Sequence, residues 1–296
     1  MKTFNTILLL CLLSAGYGQT DTTIAITTTP VLPETVPGIQ QIPQANEVVT
    51  EVYKVNNWVD IPLTAAGAGY TLWGFSKIYG RDKVPESVIL GLDANDVNNL
   101  DRKVTGYYDL KAKDASDMLF YGSMPLPLIL LLDREMRSDA GKLGLLYVQA
   151  MAATGVLYTS SAMIANRYRP YAYNPEVEMG RRTSGGVKNS FFAGHPALVA
   201  TATFFTAKTY SDYHPEMRNK WILYTAASAA SLATGVLRIK AGQHFISDVI
   251  VGVPIGALNG ILIPHFHKMK PELASRLSFA PYYGNGQGGF AASLRF

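Results

Sequence analysis

His244 and Asp248 stand four residues apart, and Arg238 precedes the histidine by six, in the stretch Arg238-Ile239-Lys240-Ala241-Gly242-Gln243-His244-Phe245-Ile246-Ser247-Asp248. Residues i and i+4 share a helix face, and helical side chains lean toward the N-terminus. A carboxylate at 248 can therefore reach back to the imidazole at 244. That contact fixes the tautomer and leaves the other ring nitrogen free to attack. The run from Val249 to Ile263 is apolar, which predicts a helix starting near His244. The histidine then sits at the positive end of the helix dipole, where a phosphate is stabilised. Arg238, on the preceding segment, offers a planar, permanently charged fork for phosphoryl oxygens. A helix cap with a surface ion pair would use the same three residues, so the triplet needs company.

Two upstream segments supply it. Gly194-His195-Pro196 opens the apolar run Ala197 to Phe205. A glycine lets the backbone approach an anion and donate its N–H. A histidine just after it is placed to protonate a leaving oxygen. Asn166-Arg167-Tyr168-Arg169-Pro170 closes the apolar run Leu145 to Ile164. The proline stops that helix, so Arg169 belongs at its mouth. Two arginines, two histidines and one carboxylate point to phosphate-ester chemistry without a metal or other cofactor.

In this order and separation the three segments resemble the type 2 phosphatidic acid phosphatase superfamily, which also holds bacterial class A acid phosphatases and vanadium haloperoxidases. The family pattern is Lys, six residues, Arg-Pro; then Pro-Ser-Gly-His; then Ser-Arg, five residues, His, three residues, Asp. Arg169-Pro170, Gly194-His195, Arg238, His244 and Asp248 match, while Ala162, Phe192, Ala193 and Leu237 depart. The resemblance covers roughly residues 60 to 268. It implies that His244 attacks phosphorus to give a phosphohistidine, with Asp248 orienting it. His195 protonates the leaving oxygen and then activates water. Arg169, Arg238 and the Gly194 amide hold the equatorial oxygens. The altered Ala162 and Ala193 positions remove two phosphate contacts, each a loss of a few kcal/mol at about the scale of one oxyanion donor. Lys188 or Lys240 could replace the lysine. Arg167, Arg181 and Arg182 read as solvated loop charges. A non-catalytic or weakly active phosphate-binding membrane protein is the alternative. The lost lysine and serine rank a haloperoxidase low.

The elements that must position these residues are helical. The apolar segments Ile61–Tyr79, Met118–Leu132, Leu143–Ile164, Ala197–Tyr210, Trp221–Leu237 and Phe245–Ile263 predict an all-α bundle of about six core helices, soluble or membrane-embedded, with a short C-terminal β-hairpin. Leu143–Ile164 and Phe245–Ile263 approach the ~20 residues of a spanning helix, but the mean hydropathy of +0.09 is modest for six spans. Pro85 to Asp114 reads as a shorter amphipathic helix and loop. Residues 1–18 read as a signal peptide, 19–55 as a flexible leader, 56–270 as the phosphatase-like domain and 271–296 as the hairpin tail.

The only cysteine, Cys11, lies inside that signal, so neither a disulfide framework nor a cysteine metal site is expected. The net charge of +4 contains no long basic run, which argues against nucleic acid. The expected partners are membrane lipids and a lipid phosphate or small phosphate ester. The expected location is a bacterial-type periplasm or envelope membrane, reached across the inner membrane. His214 reads as a solvent-exposed loop residue, and His265 and His267 as an interfacial helix end rather than a metal pair.

Overall fold

The computed structural model describes residues 51–269 in full and the backbone of 277–284 and 287–294. Six long helices follow one another: α1 Asn57–Tyr79, α2 Leu110–Ser123, α3 Ala140–Ala165, α4 Gly194–Tyr213, α5 Lys220–Lys240 and α6 Ile246–His267. Short helical turns fill the connections, among them Glu86–Leu90, Asn99–Arg102 and Gly185–Lys188. The six expected helices are all present. The segment Met118–Leu132 differs: α2 ends at Ser123, and a 3-10 helix, Leu126–Leu132, continues it. Pro125 and Pro127 lack the N–H groups that an unbroken α-helix needs there.

α4 is the central helix, packed against α6, α5, α3 and α2. Its composition explains how it can be enclosed. Ala197, Ala200, Ala202, Thr201, Thr203 and Thr209 are small and buried. Its hydroxyls bond backward to the carbonyls one turn earlier, as Thr203 does to Val199 (2.8 Å) and Ser211 to Ala207 (2.7 Å). Hydroxyls bonded this way are satisfied within their own helix.

α6 approaches α4 through a stripe of glycines. A Cβ placed on Gly252 would lie 2.6 Å from the Ala193 carbonyl oxygen, and one on Gly260 would lie 2.6 Å from that of Thr201. Between them Gly256 faces the Ala197 carbonyl more closely still. The spacing of four residues keeps all three on one face. Small residues at this spacing let helix backbones meet directly, as they commonly do in membranes.

The bundle has two polar ends. At one end Asp60 meets His267 (3.2 Å), Asp133 meets His214 (3.2 Å), and Asp212 receives Tyr53 (2.8 Å) and Lys268 (2.6 Å). His214 therefore stands beside a carboxylate rather than in solvent, and His267 is a hydrogen-bond partner of Asp60. No cluster of metal-ligating side chains occurs among the described residues. At the other end lie the arginines and histidines singled out above. Helices of this length separate the two ends by about 30 Å, the thickness of a bilayer core. Four helical segments, Leu110–Leu132, Ala140–Tyr173, Lys220–Lys240 and Ile246–His267, are long and apolar enough to cross a membrane. α1 adds an outward apolar face, with Leu63, Leu72 and Trp73 exposed. These features fit a membrane protein.

At the C-terminus Leu277–Gly284 and Gln287–Leu294 run antiparallel to each other. The main helix contacts do not include them, and the expected C-terminal hairpin is not supported as an element of the fold. The signal peptide and most of the leader lie outside the described residues.

Candidate functional site

The turn between α5 and α6 carries the nucleophile candidate. Gly242 takes a left-handed backbone (φ +68°), where a side chain would be strained. His244 follows, fully enclosed at 1% exposure. Its Nδ1 lies 2.6 Å from the backbone carbonyl oxygen of Ser190. A carbonyl only accepts, so Nδ1 carries the proton and Nε2 is left with its lone pair. The expected direct contact from Asp248 is not what fixes this tautomer: its carboxylate stands 4.0 Å from Nδ1. Asp248 instead receives the Ser190 hydroxyl (2.6 Å) and the Phe245 N–H (2.8 Å). Phe245 caps α6, and Asp248 in its first turn closes that cap. The aspartate thus holds the loop whose carbonyl holds the imidazole.

Arg167 completes the arrangement, and it is no solvated loop charge. Its guanidinium bridges Asp248 and the fully buried Asp101, the latter at 2.6 Å, and lies over the Phe245 ring at 4.3 Å. Asp101 also receives the Ser247 N–H (2.9 Å) and hydroxyl (2.5 Å). Burial opposes its ionisation, but the hydrogen bonds from Ser247 and Arg167 outweigh that and hold its carboxyl below the usual range. Arg181 and Arg182 are also engaged. The first lies between the rings of Tyr108 and Tyr171, each 5.2 Å away, and the second is buried, donating to the Ala172 carbonyl at 2.9 Å.

Arg169 and Arg238 are both buried and aimed inward from different elements. Arg169 is anchored by the carbonyls of Gly186 (3.1 Å) and Gln243 (3.1 Å) and by the Gln243 side-chain oxygen (2.8 Å). Arg238 donates to Asp117 of α2 at 2.9 Å. Buried Arg238 Nε and Gln243 Nε2 have no hydrogen-bond partner among the described residues. Buried donors are normally satisfied, so this end of the bundle is short of acceptors. An anion would supply them.

His195 opens α4, one residue after Gly194, with 27% of its side chain exposed. The Tyr158 ring presses on Gly194, where a Cβ would lie 2.8 Å from the ring edge, so only glycine fits. The first-turn amides of α4 are the N–H groups a helix cannot pair internally. The His195 ring lies 4.5 Å from the Phe120 ring, tilted by 45° to it, and 3.8 Å from Asp117. The two expected lysines do not enter this group: Lys188 sits over the Tyr168 ring at 5.3 Å, and Lys240 is exposed at the end of α5. Two other cations approach from outside the motifs. Lys113 pairs with Asp117 (2.7 Å), and Arg81 donates to the carbonyl of Ala162 (3.0 Å), the position that lacks the family lysine.

Both histidines are held well below their ordinary range. Burial is the largest cause, followed by the positive charges of Arg238 and Arg169. The resting pair is therefore neutral at neutral pH, ready as nucleophile and base but not as acid. An anion bound between the arginines cancels part of that repulsion and raises both values. Binding of orthophosphate or vanadate is then expected to be accompanied by proton uptake. Calorimetry in buffers of different ionisation enthalpy reads this directly. Binding without proton exchange would show that the anion does not protonate either histidine.

Sequence reading did not find Asp101, Asp117 or Ser190. Their partners lie 54 to 146 residues away in the chain, beyond any local spacing. Gln243 carried a local signal, as the neighbour of His244.

Known proteins give the same direction. Residues 143–272 match the PAP2 superfamily. A lipid A 4'-phosphatase from Porphyromonas gingivalis is 29% identical over 96 residues, which are 32% of this chain and 37% of the relative. The chain thus aligns with little more than a third of that relative's length. No solved structure matches. The matched region begins in α3 and ends just past α6, so it holds Arg169, Gly194, His195, Arg238, His244 and Asp248, while Asp101 and Asp117 come from outside it. On these grounds the chain carries a PAP2 superfamily domain and is similar to a bacterial lipid phosphatase.

Proposed function

We propose that this protein is a metal-independent phosphatase of the bacterial envelope, hydrolysing a phosphate monoester or diphosphate borne by a lipid such as phosphatidic acid, a polyprenyl diphosphate or lipid A. The observation that carries the proposal is the convergence of two neutral histidines with two buried arginines and unpaired donors at one polar end of an apolar bundle. His244 Nε2 attacks phosphorus and forms the N–P bond as the bond to the leaving oxygen breaks. His195, protonated once the anion is bound, gives its proton to that oxygen. It then removes a proton from water, which attacks the phosphohistidine and releases phosphate and neutral His244. Asp248, acting through Ser190, steadies the positive imidazole. Arg169, Arg238 and the Gly194 amide take the equatorial oxygens, with Gln243 Nε2 as a further donor. The envelope location rests on the signal-like residues 1–18 and on the bacterial relative.

Phosphate release by detergent-solubilised protein tests this, with EDTA present and a panel of phosphatidic acid, a polyprenyl diphosphate and a small aryl phosphate. The expected result is release that EDTA does not reduce, and radiolabel retained on the protein in alkali but lost in acid, as an N–P bond requires. Release that stops with EDTA would remove the mechanism. A second reading is a phosphate-binding protein with little turnover. It is favoured by Ala162 and by Asp117, whose carboxylate occupies Arg238 and competes with a phosphate. Phosphate binding without release from any of the three would select it.

A further inference from the structure

A cavity of about 480 Å³ opens between α4, α5 and the 3-10 helix that follows α2. Its walls are Leu126, Ile129 and Leu130 on one side, Leu223, Ala227 and Ala230 on the second, and Thr203, Ala207 and Tyr210 of α4 at the back. That volume is in the range of a small-molecule site. The threonines do not make it polar. Thr203 and Thr206 each spend their hydroxyl on a carbonyl of their own helix at 2.8 Å, so they contribute methyl groups.

Each wall continues from a residue of the candidate site. α4 carries His195, α5 carries Arg238, and the 3-10 helix extends α2, which carries Asp117 and Phe120. At ~1.5 Å per residue, Thr203 and Ala230 lie about 12 Å from His195 and Arg238 along their helices, and Tyr210 and Leu223 about 22 Å. The cavity therefore starts one helical stretch below the phosphate end and runs toward the opposite polar end. It stays within the apolar depth of the bundle. α5 flanks the arginine and the cavity alike, and its small residues, Ala226, Ala227 and Ala230, leave the space beside the 3-10 helix open.

We propose that this cavity holds a hydrocarbon chain of the substrate whose phosphate lies at His244, so that the enzyme measures its lipid by one chain as well as by the headgroup. The inference rests on the lipid phosphatase reading. A headgroup between Arg169 and Arg238 leaves a chain pointing down the α4–α5 seam. An apolar chain gains by leaving neither water nor an unfilled void against these walls.

Ala230→Trp fills the cavity and touches no residue of the phosphate end. With a long-chain phosphatidic acid the expected result is a KM raised about tenfold or more. With its shorter-chain homologues the loss shrinks, and with a small aryl phosphate kcat and KM are unchanged. Unchanged kinetics on every substrate would overturn the proposal. If Ala230→Trp loses the aryl phosphate activity too, the parent protein decides, labelled by a lipid phosphate with a photoreactive chain. Labels on Leu126–Leu130 and Leu223–Ala230 support the cavity, and labels confined to other helices overturn it. If the parent cleaves neither substrate, the phosphatase reading fails, whereas the position of the label still tests the cavity.

Discussion

His244→Ala is expected to lower phosphate release by at least about 10⁴-fold, with the protein still folded and still binding phosphate. His244 is enclosed and makes one hydrogen bond, to the Ser190 carbonyl, so its removal leaves a small gap rather than a broken core. The arginines stay in place, which keeps the anion while the chemistry stops. The network behind it predicts a graded series. Asp248→Asn releases Ser190 and unpairs one side of Arg167, and a loss of about 10²-fold or more in kcat is expected.

Asp101→Asn is more informative. Asp101, Arg167 and Asp248 together carry one net negative charge beside His244, which favours the positive imidazole formed during attack. Removing one carboxylate lowers kcat by about tenfold or more and leaves KM nearly unchanged. The sign for pH follows. With less negative charge nearby, protonated His244 is less stable, so the acid limb of kcat/KM moves to lower pH. Asp101→Glu should restore the limb. A uniformly lower rate with an unmoved limb would reduce Asp101 to a structural support.

The three motifs were legible because each is a short stretch at the end of an apolar run, where a helix starts or stops. The six helices were legible for the same reason, as runs of apolar residues with breaks. What spacing could not give is the manner in which the motifs lock together. The reach from Asp248 to His244 assumed one helix, whereas His244 stands before the cap of α6 and its imidazole is held by a main-chain carbonyl 54 residues away, and no side-chain pattern announces a carbonyl. Arg167 looked like a loop charge because its partners, Asp101 and Asp248, lie 66 and 81 residues distant. The glycines at 252, 256 and 260 did carry a legible signal, four residues apart within an apolar run. Counting that run only for hydrophobicity passed over it.

That stripe gives the second large effect. Gly252→Ala places a methyl group 2.6 Å from the Ala193 carbonyl oxygen, and Gly260→Ala does the same at Thr201. Main chain cannot swing aside as a side chain can, so α4 and α6 must separate. Each change is expected to destabilise the protein by about 1–3 kcal/mol, and Gly256→Val by more. Activity divides the two. Ala193 donates its N–H to the Asp248 carbonyl at 3.0 Å, immediately before Gly194 and His195. A wedge at 252 therefore shifts one histidine against the other, and kcat should fall about a hundredfold, since a displacement near 1 Å has that effect. A wedge at 260, two helical turns deeper, should leave kcat of the folded protein within about threefold of the parent. Thermal unfolding beside kcat for both variants checks this. Equal loss of kcat at equal loss of stability would show that the stripe sets stability alone.

The contact of α4 with α6 also divides the molecule into a ruler and a gauge. The backbones that carry His195 and His244 meet main chain to main chain, at the glycines and at the Ala193 N–H on the Asp248 carbonyl. α2 lies outside the matched domain and meets α4 and α5 through side chains. Its Lys113, Asp117 and Phe120, and the leucines that follow, take no part in that main-chain contact. On the proposed reading, a protein built this way keeps the spacing of its histidines in one pair of helices and can vary its substrate contacts through another.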